Sequence, residues 1–264
     1  MEKKVHLIVD VGNTTIVFAV FGEHDCFAHT IISSSEMNSA DSKTKINAFL
    51  NQINCQKLEF DGGMIYSVVP SINNKITIMC KKYFGIKPSI FDWENYEYSK
   101  KDSRITDKIG ADLIADLIAA DRFYGGPAMI MDLGTVNKLL LIDDKGIFTG
   151  VSFMTGMESA LKAFMNDTDL LPEVKSMSEM KPYAGLGTVE AMKHGIYWST
   201  VGFVEHQRKI QEGIAGTKLK LILTGGNSCF VKDEIKDNIY DPLLTVKGMN
   251  ILYMEAKKWI IRKF

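Results

Sequence analysis

The chain has 264 residues, which allows one large domain or two of about 130, each able to bury a substantial core. Its net charge of −1 offers no overall basic field, so neither nucleic acid nor an anionic membrane is an expected partner. The four cysteines, Cys26, Cys55, Cys80 and Cys229, are scattered with no CxxC pair and no Cys/His cluster, so they read as reduced thiols rather than a zinc site or a disulfide framework.

The apolar run before Asp10 is too short for a signal peptide or a membrane span, which predicts a cytoplasmic protein. His6 to Val9 reads as a strand, Asp10 to Thr14 as a tight polar turn, and Thr15 to Phe21 as a returning strand. Ser35 to Asn51 is a helical candidate, with the Ser-Ala-Asp stretch at 39–41 available as a cap. Gly63 to Val69 reads as a buried strand stopped by Pro70, Asn73 to Phe84 as an amphipathic helix, and Lys87 to Phe91 as a short strand. Residues 92–108 are polar and irregular, and long ordered loops of this kind are often functional. Ile109 to Phe123 has one apolar stripe, Leu113, Ile114, Leu117 and Ile118, and predicts a helix broken at Tyr124 to Pro127. The domain boundary is placed there, giving 1–124 and 125–264.

The second half restarts the pattern. Ala128 to Met131 is a strand that ends at Asp132-Leu133-Gly134-Thr135, and strands follow at Leu139 to Ile142 and Ile147 to Gly150. Helical candidates lie at 157–165, 188–213 and 246–262, and a strand at Lys218 to Leu223 runs into Thr224-Gly225-Gly226. Met154, Met157 and Met165 read as core filler, and His194 as packing or surface.

The two turns share one design: an apolar strand, Asp-apolar-Gly-Asn/Thr, then another apolar strand. Asp10 and Asp132 lie 122 residues apart, close to half the chain, which suggests a duplicated domain. Glycine lets backbone approach a phosphate and adopt unusual turn dihedrals, and turn N–H groups and Asn/Thr side chains donate to phosphate oxygens. An Asp at a strand end cannot bind phosphate, but it can hold a cation that does. One such turn alone is an ordinary hairpin; two copies at half-chain spacing favour a clamp for the end of ATP. Gly225-Gly226 either admits a nucleoside or simply turns a strand into a helix.

Asp112 opens a predicted helix in Ile109-Gly110-Ala111-Asp112. A carboxylate there either stabilises the helix N-terminus or accepts a proton from a substrate hydroxyl attacking a γ-phosphate. Asp116, one turn on, competes for that role. Thr188 is explained structurally as an N-cap of the next long helix.

In order, DVGNT (10–14), YSVVPS (66–71), IGAD (109–112), DLGT (132–135), GTVEAMKHGIYW (187–198) and TGG (224–226) resemble the type III pantothenate kinases over nearly the whole chain. The resemblance implies an α/β homodimer whose chain has two duplicated ribonuclease-H-like domains of the acetate and sugar kinase/actin superfold. It implies ATP, Mg²⁺ and a monovalent cation, K⁺ or NH4⁺, with pantothenate phosphorylated in the first step of coenzyme A synthesis. Mapped by motif, ATP phosphates fall to Asp10, Val11, Gly12, Asn13, Thr14, Thr15, Ile16 and Val17, with Thr135, Gly225 and Gly226 also on the nucleotide. Asp112 becomes the catalytic base, and Gly110, Ala111, Leu113 and Thr188 line the pantothenate site. Asp10 and Asp132 become the metal-binding carboxylates.

The chain departs from the family pattern at three places. Leu113 stands where the family's Gly-x-Asp-Arg motif has Arg, and Ser103 where a substrate-binding Tyr falls nine residues before Asp112. Losing such charge-assisted bonds removes roughly 1.5–3 kcal/mol each unless Arg104 or Lys108 compensates. The second loop continues as Val136-Asn137-Lys138, so Lys138 either replaces the monovalent cation or points to solvent. A diverged non-catalytic or regulatory member, and a kinase for another small hydroxylated substrate, stay open as alternatives. A sugar or acetate kinase explains the two loops but not YSVVPS or the 187–198 segment.

Overall fold

The computed structural model describes residues 3–54, 58–167, 170–174, 176–178, 180 and 184–261. The chain divides into two compact units. The first comprises Met1–Tyr98, Asp107–Ala119 and Thr245–Phe264; the second comprises Ser99–Thr106 and Ala120–Leu244.

The first sheet holds β1 (Lys3–Val11), β2 (Thr15–Phe21), β3 (Cys26–Ser33), β4 (Leu58–Ser67) and β5 (Ser89–Ile90) in the order β3-β2-β1-β4-β5. β1 pairs antiparallel with β2 and parallel with β4, β2 pairs antiparallel with β3, and β4 parallel with β5. The second sheet holds β6 (Ala128–Leu133), β7 (Val136–Ile142), β8 (Phe148–Thr155), β9 (Lys220–Thr224) and β10 (Asn238–Tyr240) in the order β10-β9-β6-β7-β8. Its pairings repeat those of the first sheet strand for strand. The repeated turn motif suggested a duplicated domain, and each sheet has the ribonuclease-H-like arrangement that the family resemblance implies.

Alternation along the strands builds both cores. In the first unit Val5, Leu7, Val9 and Val11 of β1 cluster with Ile46, Phe49 and Ile53 of α1 (Ala40–Asn54) and with Ile76, Cys80 and Phe84 of α2 (Asn73–Phe84). In the second, Met129, Met131, Leu133 and Leu139 cluster with Met157 and Leu161 of α4 (Met157–Asn166) and Met192, Ile196, Tyr197 and Val204 of α5 (Thr188–Ala215). α1 starts later than the sequence predicts because Ser39 caps it, its Oγ accepting the Ser42 N–H at 3.1 Å. α3 (Ala111–Phe123) likewise starts two residues late, at Ala111 rather than Ile109.

The opposite face of β1 is also covered. His6 Nε2 donates to Asn250 Oδ1 of α7 (Leu244–Ile261) at 2.5 Å, and its ring packs on Tyr253 at a centroid distance of 4.6 Å. Burial holds the His6 imidazole below its ordinary range. The Tyr66 hydroxyl donates to the Met249 carbonyl at 2.6 Å, and the Thr245 hydroxyl donates to Asp116 Oδ1 at 2.7 Å. A side chain at Gly248 would lie 1.9 Å from the Ala115 carbonyl oxygen, so α7 and α3 meet backbone against backbone. The helix that follows the second sheet in sequence therefore packs in the first unit. Burial pushes the Cys80 thiol up to about 12 and the Cys26 thiol up to about 11. Cys26, Cys80 and Cys229 are free, and Cys55 lies outside the described residues. Among the described residues no helix is long and apolar enough to cross a membrane.

Candidate active site

Asp10 sits at the C-terminal end of β1, half-buried, with Val17 across the antiparallel ladder and Tyr66 across the parallel one. Both neighbours are uncharged at neutral pH, since burial drives the Tyr66 phenol far above its ordinary value. The turn beyond Asp10 is locked by its own backbone and by the end of β3. The Gly12 N–H donates to the Thr15 carbonyl at 3.0 Å, the Ser34 N–H to the Thr14 carbonyl at 2.9 Å, and the Ser34 hydroxyl to the Gly12 carbonyl at 2.7 Å. Asn13, Thr14 and Thr15 are thereby held exposed, while Val11 and Ile16 are buried in the core. Ser34 escaped the sequence reading because its role depends on strand pairing rather than on a motif.

The second hairpin is built alike but is electrostatically different. Asp132 is the penultimate residue of β6, with Lys138 across the antiparallel ladder and Thr224 across the parallel one. The Lys138 ammonium donates to Asp132 Oδ2 at 2.5 Å, with the two side chains only 17% and 9% exposed. Lys138 thus does not point to solvent, one of the two alternatives the sequence left open. The cause is register. The ladder partner of Asp10 is seven positions on and that of Asp132 is six, so the shorter turn brings the lysine opposite the carboxylate. Thr135 is exposed at the tip, and its carbonyl accepts the Gly156 N–H at 3.1 Å and the Ser159 hydroxyl at 2.8 Å. Thr224 Oγ1 and Asn137 Oδ1 are enclosed with no hydrogen-bond partner among the described residues. Enclosed polar atoms of this kind are places where a water or ligand atom completes a site.

The glycines divide by function. Neither Gly12 nor Gly134 has a positive φ, so the expected need for unusual turn dihedrals does not account for them. Gly225 does need to be glycine: its φ is +83°, and a Cβ would lie 2.3 Å from Asp132 Oδ1 and 2.6 Å from the Leu133 backbone. Gly226 is exposed and a Cβ there would meet nothing within 4 Å, so packing gives no reason for it.

Asp112 lies in the first turn of α3, half-buried, and its Oδ1 accepts the Leu113 N–H at 3.0 Å. A side chain at Gly110 would lie 2.8 Å from that same oxygen. Asp116, its competitor, is fully buried against α7, which removes it from any solvent-facing role. Leu113 is 8% exposed and packs as core. Neither suggested compensator is idle: Arg104 is held by Asp102 through two side-chain bonds of 2.9 and 2.8 Å, and Lys108 donates to the Glu94 carbonyl at 2.6 Å. Thr188 is exposed and is not the N-cap of α5; that position is Gly187, and Glu190 Oε2 accepts the Leu186 N–H at 3.0 Å. The structural explanation for Thr188 therefore falls away. His194 is half-buried against Trp198, as packing would have it.

The sequence profile of the type III pantothenate kinases matches residues 6–209. The chain belongs to the type III pantothenate kinase family. It is 31% identical over 253 residues to a type III pantothenate kinase of Geobacillus sp., covering 93% of this chain and 96% of the relative. The corresponding enzyme of Halalkalibacterium halodurans is 28% identical over 254 residues, covering 94% and 98%. Among solved structures, a protein of Campylobacter jejuni described as a Baf family transcriptional activator superposes with TM-score 0.57 at 17% identity, covering 96% and 99%. The activator of 2-hydroxyisocaproyl-CoA dehydratase from Clostridium difficile, solved with ADPNP, superposes with TM-score 0.54 at 12% identity, covering 98% of each chain. These likenesses place the fold: two duplicated ribonuclease-H-like domains of the acetate and sugar kinase/actin superfold.

The two glycines of the TGG turn should separate in a stability measurement. Gly225→Ala is expected to lose more than about 2 kcal/mol in urea unfolding, from backbone strain and overlap with Leu133. Gly226→Ala should stay within about 0.5 kcal/mol of the parent. Equal losses would contradict the division.

Proposed function

We propose that this chain transfers the γ-phosphoryl group of ATP to pantothenate, the first step of coenzyme A synthesis. The observation that carries this reading is the match to type III pantothenate kinases along nearly the whole chain. In this reading the exposed Asn13, Thr14 and Thr15 and the backbone from Asp10 to Val17 receive the phosphates, because a fixed turn with outward donors suits an anion. Thr135 and Gly226 serve the nucleotide from the second unit. Gly225 keeps the turn open.

Mg²⁺ fits Asp10. Magnesium usually takes one or two carboxylates, waters and phosphate oxygens rather than an all-protein cage, and no group of three or more His, Cys, Asp or Glu able to hold a metal occurs among the described residues. Asp10 supplies one such carboxylate at a strand end beside the exposed turn; the ion, when bound with ATP, neutralises charge on the phosphates. A monovalent cation does not fit Asp132 in the same way, since Lys138 already stands on its carboxylate.

On the acceptor side, Asp112 takes the proton of the attacking hydroxyl, with Leu113 N–H fixing one carboxylate oxygen. By motif, Gly110, Ala111, Leu113 and Thr188 are the acceptor-binding residues. A second reading is favoured by Leu113 itself: with a buried leucine there, the acceptor is a neutral pantoyl amide rather than the pantothenate carboxylate.

The duplicated repeats are 1–124 and 125–264, supported by the identical pairings of the two sheets. They differ from the compact units in that α7 packs in the first unit while Ser99–Thr106 and the chain from Ala120 belong to the second. The chain works as a homodimer. Ala191, Gly195, Ser199 and Gly202 form an exposed stripe of small residues on α5, which a second copy can approach closely. A sedimentation mass of twice 29.6 kDa is expected, and a monomer at assay concentration would contradict it.

ADP release should depend on a pantoyl acceptor and fall by about 10²–10⁴-fold in Asp112→Asn with the fold intact. A higher kcat/KM for a neutral pantoyl amide than for pantothenate would select the second reading. ATP turnover that ignores every pantoyl compound would contradict both.

A further inference from the structure

We propose that this protein carries its own monovalent cation: the Lys138 ammonium takes the place beside Asp132 that the family resemblance gives to K⁺ or NH4⁺. The inference rests on the kinase reading for its catalytic consequence, but its structural basis stands within the second unit alone.

Three observations converge. First, the lysine is placed by the ladder and not by chance rotation of a surface side chain. Lys138 is the direct cross-strand partner of Asp132, so both project from the same face of the sheet, and their pair is short and largely shielded from water. An alkylammonium presents the same unit charge and N–H donors as NH4⁺, so the chemistry at Asp132 Oδ2 is that of a bound ammonium tethered to the chain.

Second, a soluble monocation arriving at Asp132 would meet the Lys138 ammonium already on its carboxylate, with both side chains largely shielded from water. Like-charge repulsion is strong where water is scarce.

Third, the duplicated hairpin supplies an internal control. The equivalent ladder position opposite Asp10 is Val17, which brings no charge. The same architecture therefore builds one loop whose cross-strand position lacks a cation and one whose cross-strand position contains it. The difference traces to one residue of turn length and to the identity of the residue that the register delivers.

The consequence is a kinase that does not need K⁺. The test follows full-length protein in buffers whose sole monovalent cation is choline, K⁺ or NH4⁺, reading both the melting temperature and acceptor-dependent ADP release. The wild type should show the same melting temperature in all three and rates within about twofold. Lys138→Ala should lose at least about tenfold in rate in choline and regain it with K⁺ or NH4⁺, and its melting temperature should rise with those ions. Wild-type melting or turnover that climbs with K⁺ overturns the proposal, as does a folded Lys138→Ala indifferent to the ion. Should Lys138→Ala not fold, Lys138→Met and the wild-type cation series still decide. Failure of the kinase reading would show separately, as no ADP release with any pantoyl compound, while the melting series continues to test the cation.

Discussion

The central strand of each sheet runs its apolar residues into the core and carries a carboxylate one residue before its end, Asp10 in β1 and Asp132 in β6. A carboxylate partly withdrawn from water is stabilised by a positive partner or by hydrogen bonds. The two repeats differ in what the ladder brings opposite it. In the second, Lys138 is delivered by the ladder, and removing one member of such a pair costs about 3–5 kcal/mol because the other charge is left uncompensated. In the first, the ladder delivers Val17, which brings no charge, and Asp10 is the carboxylate that the proposed function gives to Mg²⁺. The duplicated scaffold thus places an apolar residue opposite one carboxylate and an ammonium opposite the other.

Much of this was legible from sequence. β1, β2, β6, β7 and α2 carry strong apolar runs or a clean helical stripe, because both faces of the central strands and one face of the helix are buried. β3 was not anticipated. It is an edge strand with Ala28 and Ile32 inward but His29 and Ile31 exposed, so its pattern is diluted. β10 has three residues and α6 (Ser228–Val231) a single turn, too short for periodicity to show. α7 was found as a helix, but its place in the first unit depends on His6, Asn250 and the backbone contact at Gly248, which are far apart in sequence.

The candidate site was legible by residue type and illegible by partner. Two physical reasons read from the motifs changed: Gly12 and Gly134 do not occupy unusual dihedrals, and Thr188 is not a cap. An open choice was also decided, since Lys138 is turned inward onto Asp132. Each of these depends on register or cap geometry at the scale of one residue, which composition and spacing do not resolve. Arg104 pairs with Asp102, Lys108 donates to the Glu94 carbonyl, and Leu113 is buried. In the proposed reading this chain departs from the family motifs at Leu113, Ser103 and Lys138.

The claim that distinguishes this account is that Asp132 is neutralised by a lysine and not by a soluble ion. Anomalous diffraction from crystals of the nucleotide complex grown with Tl⁺ in place of K⁺ tests it most directly. No thallium peak is expected at Asp132, with the Lys138 ammonium still on Oδ2. A thallium ion bound to the Asp132 carboxylate, with Lys138 displaced from it, would contradict the account.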